Sequence, residues 1–110
     1  MLANALTALA DPTRRQLFEL VAEQPRSVGE LAGHLPVSRP AVSQHLKVLR
    51  RACLVREQRV GTRHVYCLDP AGLDAVRTYF DSFWQRSLTA FKAVVEQSSA
   101  SEQTATKEAP

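Results

Sequence analysis

Ser38-Arg-Pro-Ala-Val-Ser-Gln-His-Leu-Lys-Val-Leu-Arg-Arg51 is the stretch from which the fold can be read. At 100° per residue, Val48, Ala41, His45, Leu49, Val42 and Leu46 fall on one arc of a helix, and Arg39, Arg50, Ser43, Lys47, Pro40, Arg51 and Gln44 fall on the other. The first arc is built to pack. The second carries no acidic residue, whereas an ordinary solvated face mixes both signs. Ser38 has the hydroxyl of an amino-terminal cap, and Pro40 sits where the helix needs no donor, so the helix is expected to begin at or near Ser38.

The surrounding charge repeats this asymmetry. Of 110 residues, 1 to 37 hold three Arg against four acids, whereas 38 to 68 hold Arg39, Lys47, Arg50, Arg51, Arg56, Arg59 and Arg63 against Glu57 alone. Residues 69 to 110 return to four basic and six acidic side chains. A polyanion would therefore meet the middle third first. With 45% hydrophobic residues the chain suits one small domain, in the size range where association often adds stability. It contains no apolar run of membrane-spanning length and no secretory leader pattern, which predicts a cytoplasmic, nucleoid-associated protein.

Outward from the central helix, Leu2, Leu6 and Leu9 keep helical spacing up to Asp11-Pro12, a cap and start for a second helix with Leu17, Leu20 and Val21 inward. Pro25 ends that helix. Ser27-Val-Gly-Glu30 has the spacing of a capping box and opens a short third helix to about His34. Only Leu35-Pro-Val37 then separates it from Ser38, the tight turn of a helix-turn-helix. Downstream, Leu54–Val60 and His64–Leu68 are β-prone runs around Gly61-Thr62, a hairpin with Arg59, Arg63 and His64 at its tip. From Ala71 to about Gln97 a long helix places Leu73, Val76, Tyr79, Phe80, Phe83, Trp84, Leu88, Phe91, Val94 and Val95 within about half its circumference. Five of the seven aromatics lie there, more than one side of a small domain needs, which implies a partner helix. Residues 98 to 110 are polar and are expected to form a disordered tail after a domain of residues 1 to 97.

Three helices, a basic hairpin and a terminal aromatic helix describe a mainly α winged helix-turn-helix. Leu9-Ala-Asp-Pro-Thr-Arg-Arg15, Ser38-Arg-Pro-Ala-Val-Ser-Gln-His-Leu-Lys-Val-Leu49 and Gly61-Thr-Arg-His-Val-Tyr66 resemble the ArsR (arsenical-resistance-repressor) family of bacterial transcriptional regulators over residues 1 to about 95. The resemblance implies a homodimer joined through its first and last helices, bound to an imperfect palindrome in double-stranded DNA and usually repressing transcription. It also implies release by a metal or another effector. Here the chain departs from the family. The segment Glu30-Leu-Ala-Gly-His-Leu35 lacks the Cys-x-Cys pair that some members use, and no histidine lies between Leu73 and Gln97. Neither thiolate nor imidazole ligands are grouped for a metal, so no metal or cofactor is expected. Ala52-Cys-Leu54 also puts a thiol where members often have glycine.

On this reading Ser43, Gln44 and Lys47 read bases, with Gln44 the side chain suited to a bidentate pair with adenine. Ser38, Arg39, Arg50 and Arg51 hold phosphates, while Arg59, Arg63 and His64 serve the wing. Leu2, Leu6, Leu9, Phe80, Phe83, Trp84, Leu88 and Phe91 form the dimer interface. His45 belongs to the packed arc, and His34 and His64 are solitary, having no acidic or thiol cluster near them in sequence.

With the hairpin centred on Gly61-Thr62, Cys67 faces Arg56 and leaves Cys53 about 10 Å off register, beyond the roughly 7 Å Cα separation of a disulfide. Cys53, close in sequence to Arg50, Arg51 and Arg56, is a candidate single-thiol switch, which makes a redox- or ligand-responsive sensor the alternative function. A protein-interaction module that does not bind DNA is a further alternative. No segment groups nucleophile, base and orienting residue, so an enzyme is not expected.

Overall fold

A computed structural model describes residues 1–108, with side chains over 1–99. The elements in order are α1 (Leu2–Ala10), α2 (Pro12–Glu23), α3 (Val28–His34), α4 (Arg39–Arg51), β1 (Val55–Val60), β2 (Arg63–Leu68) and α5 (Pro70–Glu108). The chain divides into two units, Met1–Arg77 and Thr78–Pro110.

In the first unit the core is made by Leu17 and Val21 of α2, Leu31 of α3, Val42, Leu46 and Leu49 of α4, and Leu54 and Val55 beyond it, all at most 1% exposed. Those three α4 residues lie on the arc that the angular count turned inward, and Ala41, His45 and Val48 flank them half-buried. In α1 the packed residues are Ala5 and Ala8, both fully buried, rather than the leucines; small side chains bring the helix close to its neighbours. Leu9 packs half-buried on the same core, while Leu6 stays 39% exposed.

Each helix end is satisfied locally. The Asp11 carboxylate caps α2 through the Arg14 amide at 3.0 Å, and the Arg14 side chain donates to the free carbonyls of α1 at Ala8 (2.8 Å) and Thr7 (3.3 Å). The Ser27 hydroxyl accepts from the Glu30 amide and donates to the Glu30 carboxylate, so the expected capping box is made on one side only, with Glu30 meeting the hydroxyl. Ser38 caps α4 through the Ala41 amide.

At the other end of α4 the chain turns through a Schellman motif. Cys53 N–H donates to Arg50 C=O and Leu54 N–H to Leu49 C=O, both at 3.0 Å, with Leu54 and Leu49 fully buried. This motif requires a left-handed residue, and Cys53 supplies it at φ 59°, the only non-glycine with positive φ among the described residues. The departure from glycine noted in the sequence is therefore a departure at a strained position. The first turn of α5 packs on this bend, where Gly72 N–H donates to Cys53 C=O at 2.7 Å. A Cβ on Gly72 would stand 2.5 Å from that oxygen and 2.6 Å from that of Ala52.

β1 and β2 pair antiparallel from Val55↔Leu68 to Val60↔Arg63, with Arg56 opposite Cys67 as the turn placement required. Gly61 at φ 64° is the only turn residue with positive φ, the pattern of a type II′ hairpin. α5 continues past Gln97, where the apolar pattern ends, to Glu108. Ala, Glu, Gln and Lys there favour helix, and no Gly or Pro interrupts it. Ala109 and Pro110 of the expected tail lie outside the described residues.

Candidate nucleic-acid interface

Packing Val42, Leu46 and Leu49 into the core fixes which side of α4 is presented. Ser43, Gln44 and Lys47 lie exposed on the opposite side, along with Ser38, Arg39, Arg50 and Arg51. Ser43, Gln44, Lys47 and Arg51 make no side-chain hydrogen bond or ion pair among the described residues, so their donors and acceptors are available to a ligand. Arg39 extends back over α3, where its guanidinium occupies the space that a Cβ on Gly29 would need.

The hairpin carries the other cations. Arg59, Arg63 and His64 are exposed near its tip, paired across the ladder as Arg59↔His64 and Val60↔Arg63. Arg59 has no polar partner among the described residues, whereas Arg63 is ion-paired with Glu30 of α3. Glu57 on β1 is shared. Arg50 Nη1 donates to its Oε2 at 3.1 Å, and His64 Nδ1 lies 3.1 Å from its Oε1. Tyr66, opposite Glu57, has its phenol pushed above the usual value chiefly by burial and next by the Glu57 charge, with Arg50 opposing.

Two expectations are corrected. His34 and His64 are solitary in sequence but not in space: His64 faces Glu57, and His34 Nε2 lies 2.9 Å from Arg26 Nη1. Arg56 does not attend Cys53, because cross-strand neighbours share a face of the hairpin. Its Nε is 3.4 Å from the Sγ of Cys67, and that contact raises the pKa of the guanidinium. Both thiols are free, with Cys67 buried and Cys53 half-buried.

The residue that sequence reasoning missed is Arg26. Its main chain bridges to Tyr66, with N–H to C=O distances of 3.0 and 2.8 Å, docking the hairpin onto the α2–α3 connection. Its side chain, 10% exposed, donates to Leu20 C=O and Glu23 and meets His34. A basic residue just past a helix carboxyl end was the available signal.

Among the described residues no three of His, Cys, Asp and Glu gather as metal ligands would. In α3, Glu30 is engaged by Ser27 and Arg63 and His34 by Arg26, so the segment where some ArsR proteins ligate metal offers no thiolate and no free donor pair. No helix among the described residues is long and apolar enough to cross a membrane.

A short helix, a tight turn, a second helix with a cationic outer face and a basic hairpin behind it define a winged helix-turn-helix protein. The model described as "Bacterial regulatory protein, arsR family" matches residues 11–57. The HTH-type transcriptional regulator Rv2034 of Mycobacterium tuberculosis is 58% identical over 93 residues, covering 84% of this chain and 87% of that protein. The transcriptional repressor SdpR of Bacillus subtilis is 33% identical over 66 residues, covering 60% and 73%. Among solved structures, a possible transcriptional regulator for arsenical resistance is 44% identical with a TM-score of 0.66, covering 82% of this chain and 94% of that one. An ArsR-like transcriptional regulator from Rhodococcus sp. RHA1 is 34% identical with a TM-score of 0.68, covering 84% and 91%. The chain belongs to the ArsR family of bacterial regulatory proteins.

Proposed function

We propose that the protein is a sequence-specific DNA-binding transcriptional repressor that acts in the cytoplasm as a homodimer on a palindromic operator. The observation that carries this reading is the exposed, unpartnered set Ser43, Gln44, Lys47 and Arg51 on a helix whose other face is locked into the core. Ser43, Gln44 and Lys47 face the base edges, and Gln44 pairs with adenine. Ser38, Arg39, Arg50 and Arg51 engage phosphates, which fixes register without reading sequence. Arg59, Arg63 and His64 follow the adjacent backbone or minor groove.

Dimerisation supplies the symmetry that a palindrome needs. Phe80, Phe83, Trp84 and Phe91 are each more than half exposed, with Leu88 at 44%, an apolar face that a second copy would cover; Leu2 and Leu6 of α1, in the other unit, meet the second copy as well. Leu9 contributes less, since it already packs on its own core. The names of the relatives, one a regulator and one a repressor, support regulation rather than catalysis.

A gel-shift comparison of DNA from upstream of the gene with a shuffled duplex tests the proposal. The upstream fragment is retarded at lower protein concentration than the shuffled one, and both complexes weaken as salt rises. Absence of any complex at low salt would falsify it.

A further inference from the structure

Glu57 is the only acidic residue between positions 38 and 68, and both of its carboxylate oxygens face interface cations. One accepts from Arg50 at the end of α4, and the other faces His64 on the wing. The Glu57 side chain is 32% exposed, against 58% for Arg50 and 57% for His64, so both of its neighbours stay accessible from solvent while they meet the carboxylate.

We propose that Glu57 is a specificity-determining residue, an internal counter-charge that competes with DNA phosphates for Arg50 and His64. This rests on α4 and the hairpin being the DNA interface. Non-specific binding is almost wholly phosphate neutralisation, so a carboxylate that occupies the Arg50 guanidinium and faces the His64 ring subtracts from it directly. On the operator the base contacts of α4 fix the register, and a phosphate held in place can exchange with the carboxylate. That exchange is available because an exposed ion pair of this kind holds little stability of its own. Glu57 therefore penalises random DNA more than the operator. Arg39, Arg51 and Arg59, which have no such partner among the described residues, bind phosphate without this discrimination.

The test uses fluorescence anisotropy on the full chain with the upstream duplex and its shuffled counterpart, over a series of salt concentrations. Glu57→Gln tightens binding to the shuffled duplex by about fivefold and steepens its logarithmic salt dependence by about 2, one added phosphate contact in each of two copies, while the upstream duplex changes by less than about twofold. Its thermal midpoint matches wild type, and adding Glu57→Gln to an Arg50→Gln/His64→Gln variant has no effect. Weaker binding to both duplexes would mean that Glu57 is a strut, and an equal gain in the Arg50→Gln/His64→Gln background would mean simple loss of charge; either overturns the proposal. If wild type binds neither duplex, the interface reading fails and the proposal with it, an outcome distinct from wild-type binding that Glu57→Gln leaves unchanged.

Discussion

Arg26 shows what one side chain can hold together. Its guanidinium satisfies the carbonyl at the end of α2, meets His34 at the end of α3 and pairs with Glu23, while its main chain anchors β2. Arg26→Met keeps the bulk but removes the donor to the Leu20 carbonyl and the bonds to Glu23 and His34, whose side chains are exposed. It should cost about 2 kcal/mol in urea unfolding, where a surface arginine such as Arg15 would show almost nothing. The wing arginines divide in the same way by partner. Arg59→Ala, which removes one contact from each of two copies, should shallow the salt dependence of DNA binding by about two units, and Arg63→Ala by less, because Glu30 already holds Arg63. The reading face of α4 was legible because helical periodicity alone assigns inward and outward residues. The role of Arg26 was not, since its partners come from three separate elements and no spacing encodes them.

At the scale of elements, the joint between α4 and α5 decides how firmly the reading helix ends. Cys53 occupies the left-handed position of the Schellman turn, so Cys53→Gly should stabilise the fold by up to about 1 kcal/mol. Gly72→Ala should destabilise it by about 1–3 kcal/mol, because the new methyl meets main-chain oxygens that cannot swing aside. Thermal unfolding of the two variants gives opposite signs if this geometry holds. The sequence showed that a thiol replaced a customary glycine, but the strain it incurs became visible only with the φ angle. The cap of α2 adds an acid limb to stability. The Arg14 amide bond holds the Asp11 carboxyl below its ordinary value; burial opposes it, and the Arg14 charge, a smaller effect than burial, reinforces it. A depressed folded pKa gives stability that is present above the unfolded value and lost as pH falls through the folded one. Asp11→Asn, which keeps an accepting oxygen, should flatten that acid limb in urea unfolding measured from neutral pH downward.

For the whole molecule, the order of elements, the turn lengths and the hairpin register could all be read from local signals, and they suffice to define the fold. The end of α5 could not, because the apolar pattern stops at Gln97 while the backbone propensity for helix does not. The exposed face with Phe83 and Trp84 is the least satisfied feature of the single chain, and a partner copy is its proposed cover. Replacing both residues with glutamate should shift the sedimenting species from dimer to monomer and weaken operator binding at least tenfold, since a monomer engages only one half-site. The central claim, that a dimer reads DNA through a cationic face, is tested most directly by the salt dependence of affinity for upstream DNA. With Arg39, Arg51 and Arg59 unpartnered among the described residues of each of two copies, the logarithmic affinity should fall against logarithmic salt with a slope of about −5. A slope near zero, or no binding at the lowest salt, would contradict the account.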